Sequence, residues 1–402
     1  MPNQDELYLS AEEAAGLLGV NLPTLYAYVG RKNIRSIKVE GSRKRRYWAA
    51  DIQRLTKGAK AGDGSGGKRN GADSYSSLTL LTENGLYYRG RDIHELVETA
   101  TVEEVAEMFW QVPGAFGTSL PHMPAGVEQL LELYAHTTVI EKAIALFPLV
   151  ERENPKAFDL SPEGYARTGA DVVRWLAALV VGATAPDTRP LHEFIASSRG
   201  LDQRFADLIR RMLILCIDHE LDHSTYSVRA AANTGVTPYY AAITGLATAR
   251  GRRVAYGRNE AVSHLLEDIC NAKDPAEPIL QYYSQGGDIP GFCANAHTAH
   301  HVHSIADPRA ISLKNTLDRM FADDPEYLRL LKAMKVAEEL VQRPVEFILL
   351  VSFVGRKLNL GGQELALAAV ARLIGWIAHA SEQYNQQPLV RHRARYTGAL
   401  PG

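Results

Sequence analysis

Two stretches of this sequence concentrate side chains able to do chemistry. Between Arg31 and Arg46 stand Arg31, Lys32, Arg35, Lys38, Arg43, Lys44, Arg45 and Arg46 against the lone Glu40, inside a chain whose net charge is only −2. A local excess of that kind attracts polyanions, and the phosphates of a nucleic acid are the natural partner. The second stretch gathers Cys293, His297, His300, His301 and His303. Thiolate and imidazole are zinc ligands, but this spacing matches none of the paired patterns that close a tetrahedral site, so no metal is expected. The three cysteines, Cys216, Cys270 and Cys293, are too few and too scattered for a disulfide framework or a CxxC pair. Buried thiols are their expected state.

The elements that would carry the basic block form a small module in residues 1–56. Ser10-Ala-Glu-Glu13 has capping-box spacing and opens a helix through Leu18, which Gly19 allows to turn sharply. Asn21 caps a second helix with Pro23 in its first turn, followed by Thr24, Leu25, Tyr26 and Tyr28. Ile34 to Val39 reads as a strand, Gly41-Ser42 as a turn and Arg45-Arg46-Tyr47-Trp48 as the returning strand, before a helix carrying Asp51 to Leu55. Residues 57–74, KGAKAGDGSGGKRNGADS, contain no large apolar side chain and describe a flexible linker.

Beyond it, residues 75–402 form a second, mainly α body. Apolar residues recur at helical spacing in Val102 to Trp110, Val127 to Leu133, Val172 to Val180, Phe205 to Leu215, Leu330 to Val341 and Leu365 to Ala378. Leu78 to Tyr88 is the exception, where β-prone residues flank Glu83-Asn84-Gly85 as a hairpin requires. At 402 residues and 46% hydrophobic content the chain can bury a sizeable core. No uncharged apolar run reaches membrane-spanning length, and the N-terminal MPNQDELYLS lacks the basic and apolar regions of a signal peptide. A cytoplasmic protein with no membrane partner is expected.

The small module resembles the winged helix-turn-helix modules of MerR-type regulators and excisionases. That resemblance implies duplex DNA as a partner, with the second helix in the major groove presenting Tyr26, Tyr28 and Arg31, and the wing placing Arg43, Lys44, Arg45 and Arg46 on phosphates. A module docked on the larger body with a solvated basic surface is the competing reading. One such module binds weakly, so specific recognition requires a dimer.

Along the larger body, Gly85-Leu-Tyr-Tyr-Arg-Gly-Arg-Asp-Ile93 and Thr101-Val-Glu-Glu-Val-Ala106 precede Asp218-His-Glu-Leu-Asp-His-Ser-Thr225 and Asn259-Glu-Ala-Val262. Ile289-Pro-Gly-Phe292, Asp307-Pro-Arg-Ala310, Arg372-Leu-Ile-Gly-Trp-Ile-Ala-His379 and Arg391-His-Arg-Ala-Arg-Tyr-Thr-Gly398 follow. In this order they resemble the bacterial citrate and 2-methylcitrate synthases, over Leu78 to Gly398. The resemblance implies an all-helical fold of large and small subdomains, and a reaction in which a carboxylate removes an α-proton from acetyl-CoA or propionyl-CoA. The enol or enolate then attacks the ketone of oxaloacetate, and thioester hydrolysis completes the turnover. Acyl-CoA enters as a substrate and no cofactor is implied.

Oxaloacetate carries two carboxylates, which guanidinium groups match better than ammonium groups. By resemblance Arg309, Arg372 and Arg391 bind oxaloacetate or citrate, with Arg393 an adjacent candidate, and His219 contacts the oxo acid. A helical histidine bonded within a helix interface is the alternative for His219. Arg391 would reach the neighbouring subunit's site, which implies a homodimer.

The pattern breaks on the acyl-CoA side. Val254-Ala-Tyr-Gly-Arg-Asn-Glu260 puts Ala255 where the family has an enol-stabilising histidine, and Tyr256 and Gly257 where it has two glycines. Alanine cannot donate that hydrogen bond, a loss that typically costs about 100- to 1000-fold in rate. Glu346, in Pro344-Val-Glu-Phe347, stands where the family's basic aspartate is expected, on a longer arm. A displacement near 1 Å can cost on the order of 100-fold. The ketone-polarising histidine maps to Ala294 counting from Ile289, or to His300 counting back from Asp307, and His300 is preferred. The reading is therefore a condensing enzyme of impaired or altered activity. Its alternative is a non-catalytic, oxaloacetate- or citrate-sensing DNA-binding regulator, or the companion subunit of an active synthase in a heterodimer.

Overall fold

A computed structural model describes residues 8–31, 34–39, 42, 44–49, 51–52, 55, 75–82, 85–117, 119–120, 123–251, 256–286, 288–292, 307–361 and 363–386, without the side chains of 30, 31 and 256–258. The 57–74 stretch and Arg43, Ala255, Cys293, Ala294, His297, His300, His301, His303, Arg391 and Arg393 lie outside the described residues, as do the side chains of Arg31 and Tyr256. The chain divides into two compact units, Met1–Ser74 and Tyr75–Gly402.

In the first unit, helix α1 (Ala11–Leu18) starts on the capping box. Ser10 Oγ accepts the Glu13 amide at 3.2 Å while Glu13 Oε2 accepts the Ser10 amide at 2.8 Å. It stops at Gly19, whose φ of +64° is left-handed and cheap only for glycine. Asn21 Oδ1 then accepts the Thr24 amide at 2.9 Å and opens α2 (Leu22–Arg31). Strands β1 (Tyr8–Leu9), β2 (Ser36–Lys38) and β3 (Arg45–Trp48) form an antiparallel sheet in the order β1-β3-β2, with Tyr8 opposite Trp48 and Ile37 opposite Arg46. Ala14, Ala15, Leu25, Ile34, Tyr47 and Ile52 make its small core.

The second unit opens on a three-stranded antiparallel sheet, β4 (Thr79–Leu81), β5 (Leu86–Tyr88) and β6 (Arg91–Asp92). Helices follow: α3 (Ile93–Thr99), α4 (Val102–Trp110), α5 (Val127–Leu133), α6 (Val139–Arg152), α7 (Pro162–Val181), α8 (Leu191–Ser198) and α9 (Gln203–Cys216). Then come α10 (His223–Ala232), α11 (Pro238–Ala249), α12 (Tyr256–Asn271), α13 (Glu277–Ser284), α14 (Pro308–Met320), α15 (Pro325–Val341), α16 (Phe347–Lys357) and α17 (Glu364–Tyr384). This mainly helical architecture agrees with the expected fold class. Helices α7 and α17 pack on each other and run through the core, with α17 also touching α9, α10 and α11. The most apolar window of α17 is long enough to cross a membrane, but 78% of it is buried within the unit, as befits a core helix.

Core position makes one α7 carboxyl anomalous. Asp171 is buried, and desolvation pushes its carboxyl up to about 7 against the pull of Arg174, Arg167 and Lys156. Its pKa is raised in the folded chain, so its contribution to stability is full below the ordinary value of 3.8 and is lost as pH rises through about 7. Asp171→Asn should therefore flatten the fall in stability between those pH values and leave the variant more stable than the parent above pH 7. Urea titrations at pH 5 and 8 check this, and an unchanged pH slope would refute it.

Candidate active site

The second unit's site is built on a turn held by one tyrosine. Tyr88, at the end of β5, is fully buried, and its hydroxyl donates to the Asp218 carbonyl at 2.9 Å while accepting the Asp218 amide at 3.1 Å. This fixes the segment between α9 and α10 that carries Asp218, His219 and Asp222. Asp222 caps α10 by accepting the Thr225 amide at 2.7 Å. His219 is buried beside Asp218.

Arg372 reaches this turn from α17. Its Nη1 donates to Asp218 Oδ1 at 2.7 Å and to the Ile217 carbonyl at 3.3 Å, and its Nη2 to Asp222 Oδ2 at 2.7 Å and Thr225 Oγ1 at 2.9 Å. Burial alone would raise the Asp218 carboxyl, but His379, Arg372 and the Thr79 hydroxyl hold it well below the usual carboxylate range. Burial acts likewise on Asp222 and is outweighed by Arg372 and Thr225. The same pairing outweighs desolvation at Arg372 and raises its guanidinium.

Arg309 lies in the first turn of α14. Asp307, the N-cap, accepts its amide at 2.9 Å, its Nε at 3.1 Å and its Nη2 at 2.6 Å, while the guanidinium carbon sits 4.8 Å from the Phe347 ring centroid. Arg309 and Arg372 both pull the Tyr88 hydroxyl and the Cys216 thiol downward against burial. Burial pushes the Cys216 thiol up to about 12 against that pull, which makes it an inert core thiol. Glu346, half-buried, precedes Phe347 at the N-cap of α16, and its amide donates to the Gly291 carbonyl at 2.8 Å.

The structure thus brings Arg309, Arg372 and His219 to one neighbourhood, and seats Glu346 next to the ring on which Arg309 stacks. Both arginines are charge-matched within the chain: Arg372 is shared by two carboxylates and Arg309 is matched by Asp307. Physically, a desolvated guanidinium persists only when paired and hydrogen-bonded. Asp222, Asp307 and Tyr88 were not foreseen as site residues, nor was His379, although its seven-residue spacing from Arg372 places both on one face of a helix.

In the first unit Tyr26 is exposed on α2, whereas Tyr28 packs against the small core. Lys44 and Arg45 are exposed near and on β3 and Arg46 is half-buried. Arg35 is structurally engaged: its Nε and Nη2 donate to Asp51 at 3.0 and 3.1 Å, with its guanidinium 5.2 Å from the Trp48 ring centroid.

The sequence model of the citrate synthase C-terminal domain matches residues 68–393. The chain belongs to the citrate synthase family. Citrate synthase 2 of Bacillus subtilis is 25% identical to it over 356 residues, covering 80% of this chain and 93% of that one. The 2-methylcitrate synthase of Shewanella oneidensis is 24% identical over 382 residues, covering 88% and 97% respectively. Citrate synthase of Thermotoga maritima shares the fold with a TM-score of 0.66 at 23% identity, over 82% of this chain and 95% of that chain. Citrate synthase of Thermoplasma acidophilum, solved with carboxymethyl coenzyme A and oxaloacetate, has a TM-score of 0.69 at 20% identity, over 83% of this chain and 95% of that chain. Citrate synthases take acetyl-CoA as a substrate and need no cofactor. In this member of the citrate synthase family, the matched region begins seven residues before the second unit and leaves α1, α2 and the first sheet outside it.

Proposed function

We propose that the chain is a citrate synthase-like acyltransferase of impaired or altered activity, condensing acetyl-CoA or propionyl-CoA with oxaloacetate. The observation that carries this reading is the Arg372 guanidinium bonded to Asp218 and Asp222, the two carboxylates that bracket the buried His219 in the turn between α9 and α10. Two guanidinium groups and an imidazole suit a dicarboxylic oxo acid, and His300 would polarise its ketone. Glu346 would take the α-proton, its approach set by the N-cap of α16. Arg391 would come from a second copy of the chain in a homodimer. The acyl side is weaker, because Ala255 cannot donate to an enol oxygen and Tyr256 replaces a glycine. A turnover about 100- to 1000-fold below that of a synthase retaining the histidine is expected. Calorimetry with oxaloacetate and citrate, with a free-CoA release assay, tests it. Oxaloacetate binding with slow CoA release supports the reading; no binding of either acid to the folded chain overturns it.

A second reading rests on the first unit. Its helix–turn–helix followed by two basic strands, with Tyr26, Lys44 and Arg45 exposed, supports a winged DNA-binding module that reports on ligand in the second unit. Duplex affinity of the full chain should then fall steeply with salt. Lys44→Ala with Arg45→Ala should lower the slope of log K against log[salt] by about 1.8, the value for two lost phosphate contacts. An unchanged slope removes these two residues from the interface.

A further inference from the structure

Asp218 offers two oxygens, and only one of them faces Arg372. The other, Oδ2, accepts the Thr79 hydroxyl from β4, the Glu220 amide at 3.1 Å and His379 Nε2 at 3.2 Å. His379 is fully buried in α17. Its Nδ1 lies 3.2 Å from Arg229 Nη1, and a guanidinium nitrogen can only donate, so Nδ1 is the acceptor and the ring carries its proton on Nε2. The ring therefore has one orientation and one tautomer, donating to Asp218.

Neither neighbouring charge needs His379 for neutralisation. Arg229 already pairs with Glu382 at 2.7 Å and donates to the Tyr75 carbonyl at 2.9 Å, and Asp218 already pairs with Arg372 at 2.7 Å. Glu382 in turn accepts the Ser77 amide at 2.7 Å and hydroxyl at 2.8 Å, which anchors Arg229 from behind. What remains for the imidazole is orientation. His379 is one of three donors on Oδ2, and together with Thr79 and the Glu220 amide it keeps the carboxylate from rotating about its last bond and carrying Oδ1 off Arg372.

We infer that His379, backed by Arg229, is a positioning residue that fixes the Asp218 carboxylate and thereby aims Arg372 at the oxo acid. Thr79 acts on the same oxygen from the hairpin. The inference rests on the oxaloacetate-binding reading above, and it adds a fixed imidazole behind the arginine to the groups that touch ligand.

Calorimetry on the full chain, with oxaloacetate and separately with coenzyme A, tests it. His379→Leu should weaken oxaloacetate binding by roughly 10- to 100-fold, the cost of one lost buried donor and the disorder it permits. His379→Gln places an amide donor at the reach of Nε2 and should return to within about threefold of the parent. Coenzyme A affinity should be the same in all three. Thr79→Val, which removes a donor from the hairpin without cutting into the helical core, should weaken oxaloacetate by roughly 3- to 10-fold, and it decides the matter if His379→Leu does not fold. Equal oxaloacetate affinity across the variants, or equal weakening by Leu and Gln, overturns the inference while leaving oxaloacetate binding by the parent intact. A parent that binds no oxaloacetate overturns both readings together.

Discussion

Arg372→Met should lower stability by about 3–5 kcal/mol near neutral pH, because it removes the cation from a carboxylate that stays behind in the core and from a second, half-buried one beside it. Asp218 is wholly buried and Asp222 half-buried, and each loses a 2.7 Å bond to the guanidinium. Methionine fills much of the arginine stem's volume, so the loss reports charge rather than a cavity. The effect has a pH signature. In the parent the Asp218 carboxyl is depressed in the folded state, so its stabilisation is present above the ordinary value of 3.8 and lost as pH falls through the depressed one. In the variant the largest influence left on Asp218 is burial, which raises its carboxyl. Parent and variant stabilities should therefore converge as pH falls from 7.5 towards 4.5, and oxaloacetate binding should disappear throughout. Urea titrations across that range are the check. A deficit under about 1 kcal/mol at pH 7.5, or one independent of pH, would show that solvent already shields the carboxylates.

The sequence made the framework of this network readable but not its charge balance. Local signals were sufficient where the partner is a few residues away: Ser10 with Glu13, Asn21 with Thr24, Gly19 at the left-handed stop. The apolar spacing likewise marked Val102–Trp110 and Val127–Leu133 at the bounds the helices have. It placed α7 ten residues late, because Ser161 and Pro162 open that helix ahead of the apolar run from Val172. Strands β1 and β6 were missed, since two residues carry no period. Motifs singled out Arg309, Arg372 and His219 as candidates, but the carboxylates on Arg372 come from about 150 positions earlier in the chain, a separation only tertiary packing can close. Asp307 was closer to hand. A proline at the first position of α14 makes the preceding aspartate the cap, and that cap turns its carboxylate back onto the side chain two residues on.

The same packing makes Gly375→Ala a sharper probe than its size suggests. On an open helical surface, replacing glycine by alanine stabilises by about 1 kcal/mol through backbone entropy. Gly16 in α1 has nothing within 4 Å of where an added methyl would stand, so Gly16→Ala should gain stability in the first unit. At Gly375 a Cβ would stand 2.2 Å from the Ile217 carbonyl oxygen and 3.0 Å from Asp218 Oδ1. Neither atom can yield cheaply. The carbonyl accepts from Arg372, and both backbone groups of Asp218 are held by the Tyr88 hydroxyl. The methyl must therefore push α17 away from the turn, carrying Arg372 with it. Overpacking of this kind costs about 1–3 kcal/mol or more, which reverses the sign set by helix propensity. A shift near 1 Å between Arg372 and its carboxylates should also weaken oxaloacetate binding by on the order of 100-fold. Scanning calorimetry of both variants with oxaloacetate titrations would decide it, and a Gly375→Ala chain as stable and as tight as the parent would mean that α17 has slack at the turn where the site is assembled.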